Sequence, residues 1–135
     1  MTSVLHPYVI HATTPLSFGE AVERSKEALA EEGFGVLCEI DVAATLKAKL
    51  DVEHDPYLIL GACNPPLAHQ ALEAEPDLGG LLPCNVVVAV QDGLTAVFAI
   101  DPERLLSVSG NAYLEPIAME IRHRLQRVVD RVAAC

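Results

Sequence analysis

The chain has 135 residues, no tryptophan, 3 tyrosines and 3 phenylalanines, and 9 basic side chains against 19 acidic ones. With aromatics at 4%, the interior has to be built from aliphatic side chains. The formal charge of -10 repels phosphate backbones and anionic lipid headgroups, which argues against nucleic acid and a charged membrane surface as partners. The longest apolar runs, Val86 to Val90 and Leu94 to Ile100, fall far short of the roughly 20 residues a membrane-spanning helix needs. Four cysteines occur, Cys38, Cys63, Cys84 and Cys135, and no two form a C-x-x-C pair. Low-complexity and linker stretches are missing too, so residues 1–135 read as one domain, long enough to bury its own core.

The opening residues Met1-Thr2-Ser3-Val4-Leu5-His6-Pro7 lack the basic segment and apolar stretch of a secretory signal. A core of this size does not depend on disulfides. Together these features predict a cytoplasmic protein whose four thiols are free.

The apolar periodicity predicts the order β-α-β-α-β-α-β-β-α, an α+β fold with about five strands in a mixed sheet packed by helices. Tyr8 to Thr13 reads as the first strand. Ser17 and Glu20 have the S-x-x-E spacing of a capping box, and Phe18, Ala21, Val22, Ser25 and Leu29 share one face of the helix that follows. Gly33 suits the left-handed stop. Phe34 to Ile40 is the second strand, and Asp41 caps a short helix with Val42, Leu46 and Leu50 four residues apart. Tyr57 to Cys63 is the third strand, and Asn64-Pro65 opens the next helix with a capping side chain and a proline. Pro76 to Pro83 reads as a loop. Cys84 to Val90 and Leu94 to Ile100 form a hairpin across Asp92-Gly93, a pair suited to positive φ at both central positions. A long C-terminal helix carries Leu114, Ile117, Ile121, Leu125, Val128, Val129 and Val132 as one stripe.

Two Cys-Asn pairs, Cys63-Asn64 and Cys84-Asn85, sit where a loop or helix start meets an apolar run. They are the candidate ligand-binding residues, together with Glu39 and Lys47, which flank the junction of the second strand and its helix. Cys63 is also the candidate nucleophile. It precedes a helix start, where unpaired N–H groups and the helix dipole would favour the thiolate and make it the most reactive cysteine. Its ordinary role would be that of a small buried residue ending a strand, and Cys84 has the same alternative. The two thiols approach one another if the third and fourth strands run antiparallel, and lie at opposite ends of the sheet if they run parallel. Neither these spacings nor His54, His69 and His123 match a standard metal pattern, so no metal or cofactor is expected. Acidic residues Glu20, Glu23, Glu27 and Glu31 line the first helix, and Arg124, Arg127 and Arg131 the last. These stripes can pair within the fold or across a subunit boundary.

The segments Glu31-Glu32-Gly33-Phe34-Gly35-Val36-Leu37, Glu39-Ile40-Asp41-Val42, Leu46-Lys47, Tyr57-Leu58-Ile59-Leu60-Gly61-Ala62-Cys63-Asn64-Pro65 and Leu81-Leu82-Pro83-Cys84-Asn85-Val86 together resemble the domain-of-unknown-function 302 family, nearly end to end. The resemblance implies a compact α+β domain, often homodimeric, and brings no catalytic residue with it. The leading expectation is a small ligand-binding or regulatory module acting as a homodimer on an unidentified small molecule. A thiol-dependent enzyme or redox protein using Cys63 is the alternative. A structural protein docking through its last helix is a third. A pocket at the start of the third helix favours the first two, and an exposed apolar stripe on the last helix favours the third.

Overall fold

The computed structural model describes residues 6–135, so the segment Met1 to Leu5 lies outside the described residues. Five strands form one sheet: β1 (Val9–Thr14), β2 (Gly35–Asp41), β3 (Tyr57–Cys63), β4 (Cys84–Gln91) and β5 (Leu94–Ile100), in the order β1-β5-β4-β3-β2. Five α-helices accompany them: α1 (Phe18–Glu31), α2 (Val42–Leu50), α3 (Pro65–Ala74), α4 (Pro102–Ser107) and α5 (Glu115–Ala133). The α+β class and the order of the five strands and four of the helices are those the periodicity predicts, and α4 is a short addition between β5 and α5. The sheet is antiparallel throughout rather than mixed. The reason is that α2 and α3 are excursions: each leaves a strand and returns to the neighbouring position, where a crossover would have produced parallel pairing.

Local signals account for most boundaries. Ser17 and Glu20 form the capping box reciprocally, with Glu20 N–H donating to Ser17 Oγ at 3.3 Å and Ser17 N–H to Glu20 Oε1 at 3.1 Å. Asp92 and Gly93 both have positive φ, 53° and 77°, as the hairpin turn requires. Pro76–Gly80, read as loop, is a 3-10 turn whose Leu78 is buried beneath α3 and α4.

Helices α1 and α5 cover one face of the sheet. The main core joins Ala28 and Leu29 of α1 and Leu125, Val128 and Val129 of α5 to Leu60, Val86, Val88 and Val97. A smaller cluster of Ala71, Leu78, Leu106, Leu114 and Ala118 ties α3 and α4 to the first half of α5. On the opposite face one register row crosses all five strands, His11, Phe98, Val87, Ile59 and Ile40, without a charged residue. Strand β2 is an edge, α2 buries none of its residues, and Leu37, Ile40, Leu50 and Val52 are all exposed on this arm.

Among the described residues the arginine stripe is engaged inside the fold, and of the acidic stripe Glu31 alone reaches it, 3.5 Å from Arg131. Glu32, with its side chain only 8% exposed, receives Arg127 Nη2 at 2.8 Å and lies 2.7 Å from Arg131 Nη1, and Arg24 pairs with Glu31 at 2.9 Å. The Arg127 guanidinium, set against a smaller cost of burial, holds the Glu32 carboxyl below its ordinary value of 4.5. A carboxylate depressed in the folded state contributes stability that is complete above its unfolded pKa and is lost as pH falls through the folded one. Glu32→Gln is therefore expected to lower stability by roughly 1–2 kcal/mol at neutral pH. It should also flatten the loss of stability below pH 4.5. Urea denaturation at pH 7 and pH 3.5 measures both, and an equal deficit at the two values would refute the assignment.

Candidate functional site

Strand β3 runs down the sheet and ends at Cys63, where Asn64 turns the chain into α3. Its antiparallel partner β4 begins at Cys84, and the register sets Ala62 opposite Cys84. The end of one strand therefore meets the start of the other, and both cysteines are among the residues around one cavity of about 310 Å³. Phe34, Ala62, Ala68 and Leu82 supply apolar wall, and Leu37 and Leu72 stand partly exposed at its edge. Among the described residues no charged side chain lines it. A wider cleft of about 450 Å³ between α4 and α5, walled by Glu103, Ser107, Asn111 and Glu115 among others, contains none of the candidate residues.

Asn64 is buried and engaged at both ends of its amide. Its Oδ1 accepts from Leu67 N–H at 3.2 Å, and its Nδ2 donates to the Glu32 carbonyl at 3.4 Å. It is the capping residue the sequence predicts, and it is also a tie between α3 and the end of α1. Gly33 beside it has φ +83°, and a Cβ there would lie 3.1 Å from Asn64 Nδ2, so the approach depends on glycine.

The geometry of this helix start leaves few backbone donors for Cys63. Pro65 and Pro66 occupy its first two positions and have no N–H to offer. Leu67 N–H is taken by Asn64 Oδ1, and Ala68 N–H donates at 2.8 Å to the Asn64 carbonyl. The donors that would stabilise a thiolate are absent or engaged. Burial, reinforced by the charge of Cys63, pushes the Cys84 thiol up to about 11.

The remaining candidates lie elsewhere. Asn85 is exposed on the far face of the sheet, paired in register with Gly61. Glu39 pairs with Lys26 at 2.9 Å, and Lys47 with Asp51 at 2.8 Å and Glu53 at 2.7 Å. Cys38 is exposed, its sulfur against Gly61, where a Cβ would come within 2.6 Å of it. His69 pairs with Glu73 at 3.1 Å on the exposed side of α3. Among the described residues no three His, Cys, Asp or Glu side chains stand together as a metal set. Sequence reading missed Phe34, Ala68 and Leu82 as cavity wall, because nothing local distinguishes them from other core residues.

Fold and cavity define a two-layer α+β protein with an apolar pocket at one end of an antiparallel sheet. The chain belongs to the family described as Domain of unknown function DUF302, which it matches over residues 10–132. It is similar to the crystal structure of the uncharacterized conserved protein DUF302 from Bacillus stearothermophilus, with a TM-score of 0.89 at 31% identity, covering 94% of this chain and 99% of that one. Among curated proteins none matches it.

From this geometry a different order of thiol reactivity is expected. Exposed Cys135, whose sulfur lies beside the Arg24 guanidinium, should alkylate fastest at pH 7.5, half-buried Cys63 more slowly, and Cys84 only as pH approaches about 11. Iodoacetamide rates on single-cysteine variants across pH test this. Cys63 outpacing Cys135 at neutral pH would restore an activated thiol.

Proposed function

We propose that this protein is a homodimeric cytoplasmic module that binds a small, neutral, apolar molecule in the cavity between β3, β4 and α3. The observation that carries this reading is the cavity itself: about 310 Å³ of largely apolar wall around two thiols and an engaged amide. Small-molecule sites are typically concave, mostly apolar and furnished with few polar groups. An anionic ligand would find no cation there and would meet the field of a chain with charge -10. Binding is favoured over thiol catalysis because neither Cys63 nor Cys84 has a neighbouring base or free donors to generate a nucleophile. Four free thiols accord with a reducing compartment. Among the described residues no helix is long and apolar enough to cross a membrane.

The neutral fluorophore 1-aminoanthracene is the probe. Its emission should rise on binding, n-octanol should displace it, and octanoate should do so at least about tenfold less well. Ala68→Trp, which fills the cavity, should abolish the signal, whereas Glu39→Gln and Lys47→Gln should leave it unchanged. Probe binding that survives Ala68→Trp would sink this site as the ligand pocket.

Dimerisation is supported by the arm formed by β2 and α2. A helix of 9 residues that buries none of its own side chains is marginal alone, and the arm exposes Leu37, Ile40, Leu50 and Val52. Because Arg127 and Arg131 are engaged by Glu32 within the chain, association through the arm should be insensitive to salt. Sedimentation at micromolar concentration should give a dimer at 0.05 and 1 M NaCl, and Ile40→Asp with Leu50→Asp should give a folded monomer. A wild-type monomer would end this part of the reading.

A further inference from the structure

Helices α1 and α5 cover one face of the sheet, and the other face carries a pattern that a solvated surface does not. When one face of an antiparallel sheet meets water, its outward positions are commonly polar. Here the row His11, Phe98, Val87, Ile59 and Ile40 is uncharged from edge to edge. The next row, Thr13, Ala96, Ala89 and Tyr57, is uncharged too. On the far side of the first row Val9 pairs with Ile100, and Gly61 lies between Asn85 and Cys38. None of these positions holds Asp, Glu, Lys or Arg, in a chain of which 21% is charged.

The middle of this face is ordered by its rings. His11 stacks on Phe98 with centroids 5.4 Å apart and lies 3.2 Å from Gln91 Oε1, and Tyr57 meets Phe98 edge-on at 6.3 Å. Ile40 is exposed, and Ile59, Phe98 and Ile100 are only partly buried. Helix α2, which approaches β3, buries none of its own residues. An apolar, aromatic centre depleted of charge is the composition of a protein interface core.

Area and charge identify the occupant. Five strands of 6 to 8 residues cover a plan of roughly 24 by 24 Å, on the order of 600 Å². Side-chain relief and the adjoining arm bring this toward the roughly 800 Å² per partner of a stable interface. Two copies at -10 each repel where their acidic surfaces meet, and this face is free of that repulsion. A twofold contact sets one patch against itself, which an uncharged patch tolerates.

We infer that two copies of the chain pack sheet on sheet across this face, in helix, sheet, sheet and helix layers, with Ile40 carrying the contact into the arm. The inference rests on the reading of the protein as a homodimer and extends its interface from the arm over the sheet. Phe98 lies on β5, separated from β2 by β4 and β3, so it reports on the sheet and not on the arm.

Sedimentation equilibrium of the full chain tests it. Phe98→Glu should raise the dimer dissociation constant at least about a hundredfold, because it places an unpaired charge in the contact. Thr13→Glu, at an exposed edge-strand position where the monomer accepts a charge, should raise it at least about tenfold. Met119→Glu, exposed on the helical side, should leave it unchanged. Circular dichroism of each variant should show the wild-type fold. If Thr13→Glu dimerises as tightly as wild type, or Phe98→Glu does so while folded, sheet packing falls and dimerisation through the arm stands. A wild-type monomer ends both readings and leaves the face to a foreign partner.

Discussion

Glu32 gathers most of the polar contact between elements that otherwise pack through apolar side chains. Its carboxylate takes the Arg127 guanidinium through both oxygens, with Nε at 3.1 Å from each, and Arg131 approaches from the next turn of α5. Its backbone carbonyl accepts from Arg124 at 3.0 Å and from the Asn64 amide at 3.4 Å. The last turn of α1, three turns of α5 and the cap of α3 therefore converge on one residue. Packing of Leu29 against Leu125 and Val128 brings the helices into contact without fixing how they slide along one another. A bidentate guanidinium with a second cation above it does fix that register. With the carboxylate buried and the guanidinium groups partly exposed, the network contributes position more than free energy, because desolvation and solvent screening offset much of the Coulomb gain.

The cavity is a consequence of that registration. Asn64 can cap α3 and reach the Glu32 carbonyl only if Gly33 lets the chain pass close beside it, and this sets where α3 leaves the sheet. The antiparallel course of β3 and β4 then brings Cys63 and Cys84 to the same end, and the 3-10 turn with buried Leu78 closes the space beneath α3. Polar groups in this region are paired with one another. What is left facing the cavity is chiefly apolar surface.

How much of this was legible in the sequence depends on the range of the interaction. The capping box at Ser17, the hairpin at Asp92-Gly93 and the long stripe of α5 are set by neighbours within a few residues, and each can be read directly. The antiparallel sense of β3 and β4 is set by α3 returning to the neighbouring position, which residue types do not encode. The same holds for the destination of the arginine stripe: spacing shows that Arg124, Arg127 and Arg131 share a face, and only the fold shows that Glu32 lies under it. The identity of the cavity wall is non-local as well, since Phe34, Ala68 and Leu82 come from three separate segments.

Pro65 and Pro66 were visible from the start, and their meaning divides in two. A proline at the first helical position marks a helix start because the N–H it lacks would have had no partner there. That missing N–H is the group an anionic sulfur would have needed. The residue that makes the helix start easy to recognise therefore removes the basis for an activated cysteine beside it, and the second proline extends the loss by one position. Leu67, the first residue with a donor, is claimed by Asn64, whose other amide end is held by Glu32. The clamp that orders the helices thus also takes up the donors nearest Cys63, and what the cavity offers an occupant is apolar contact.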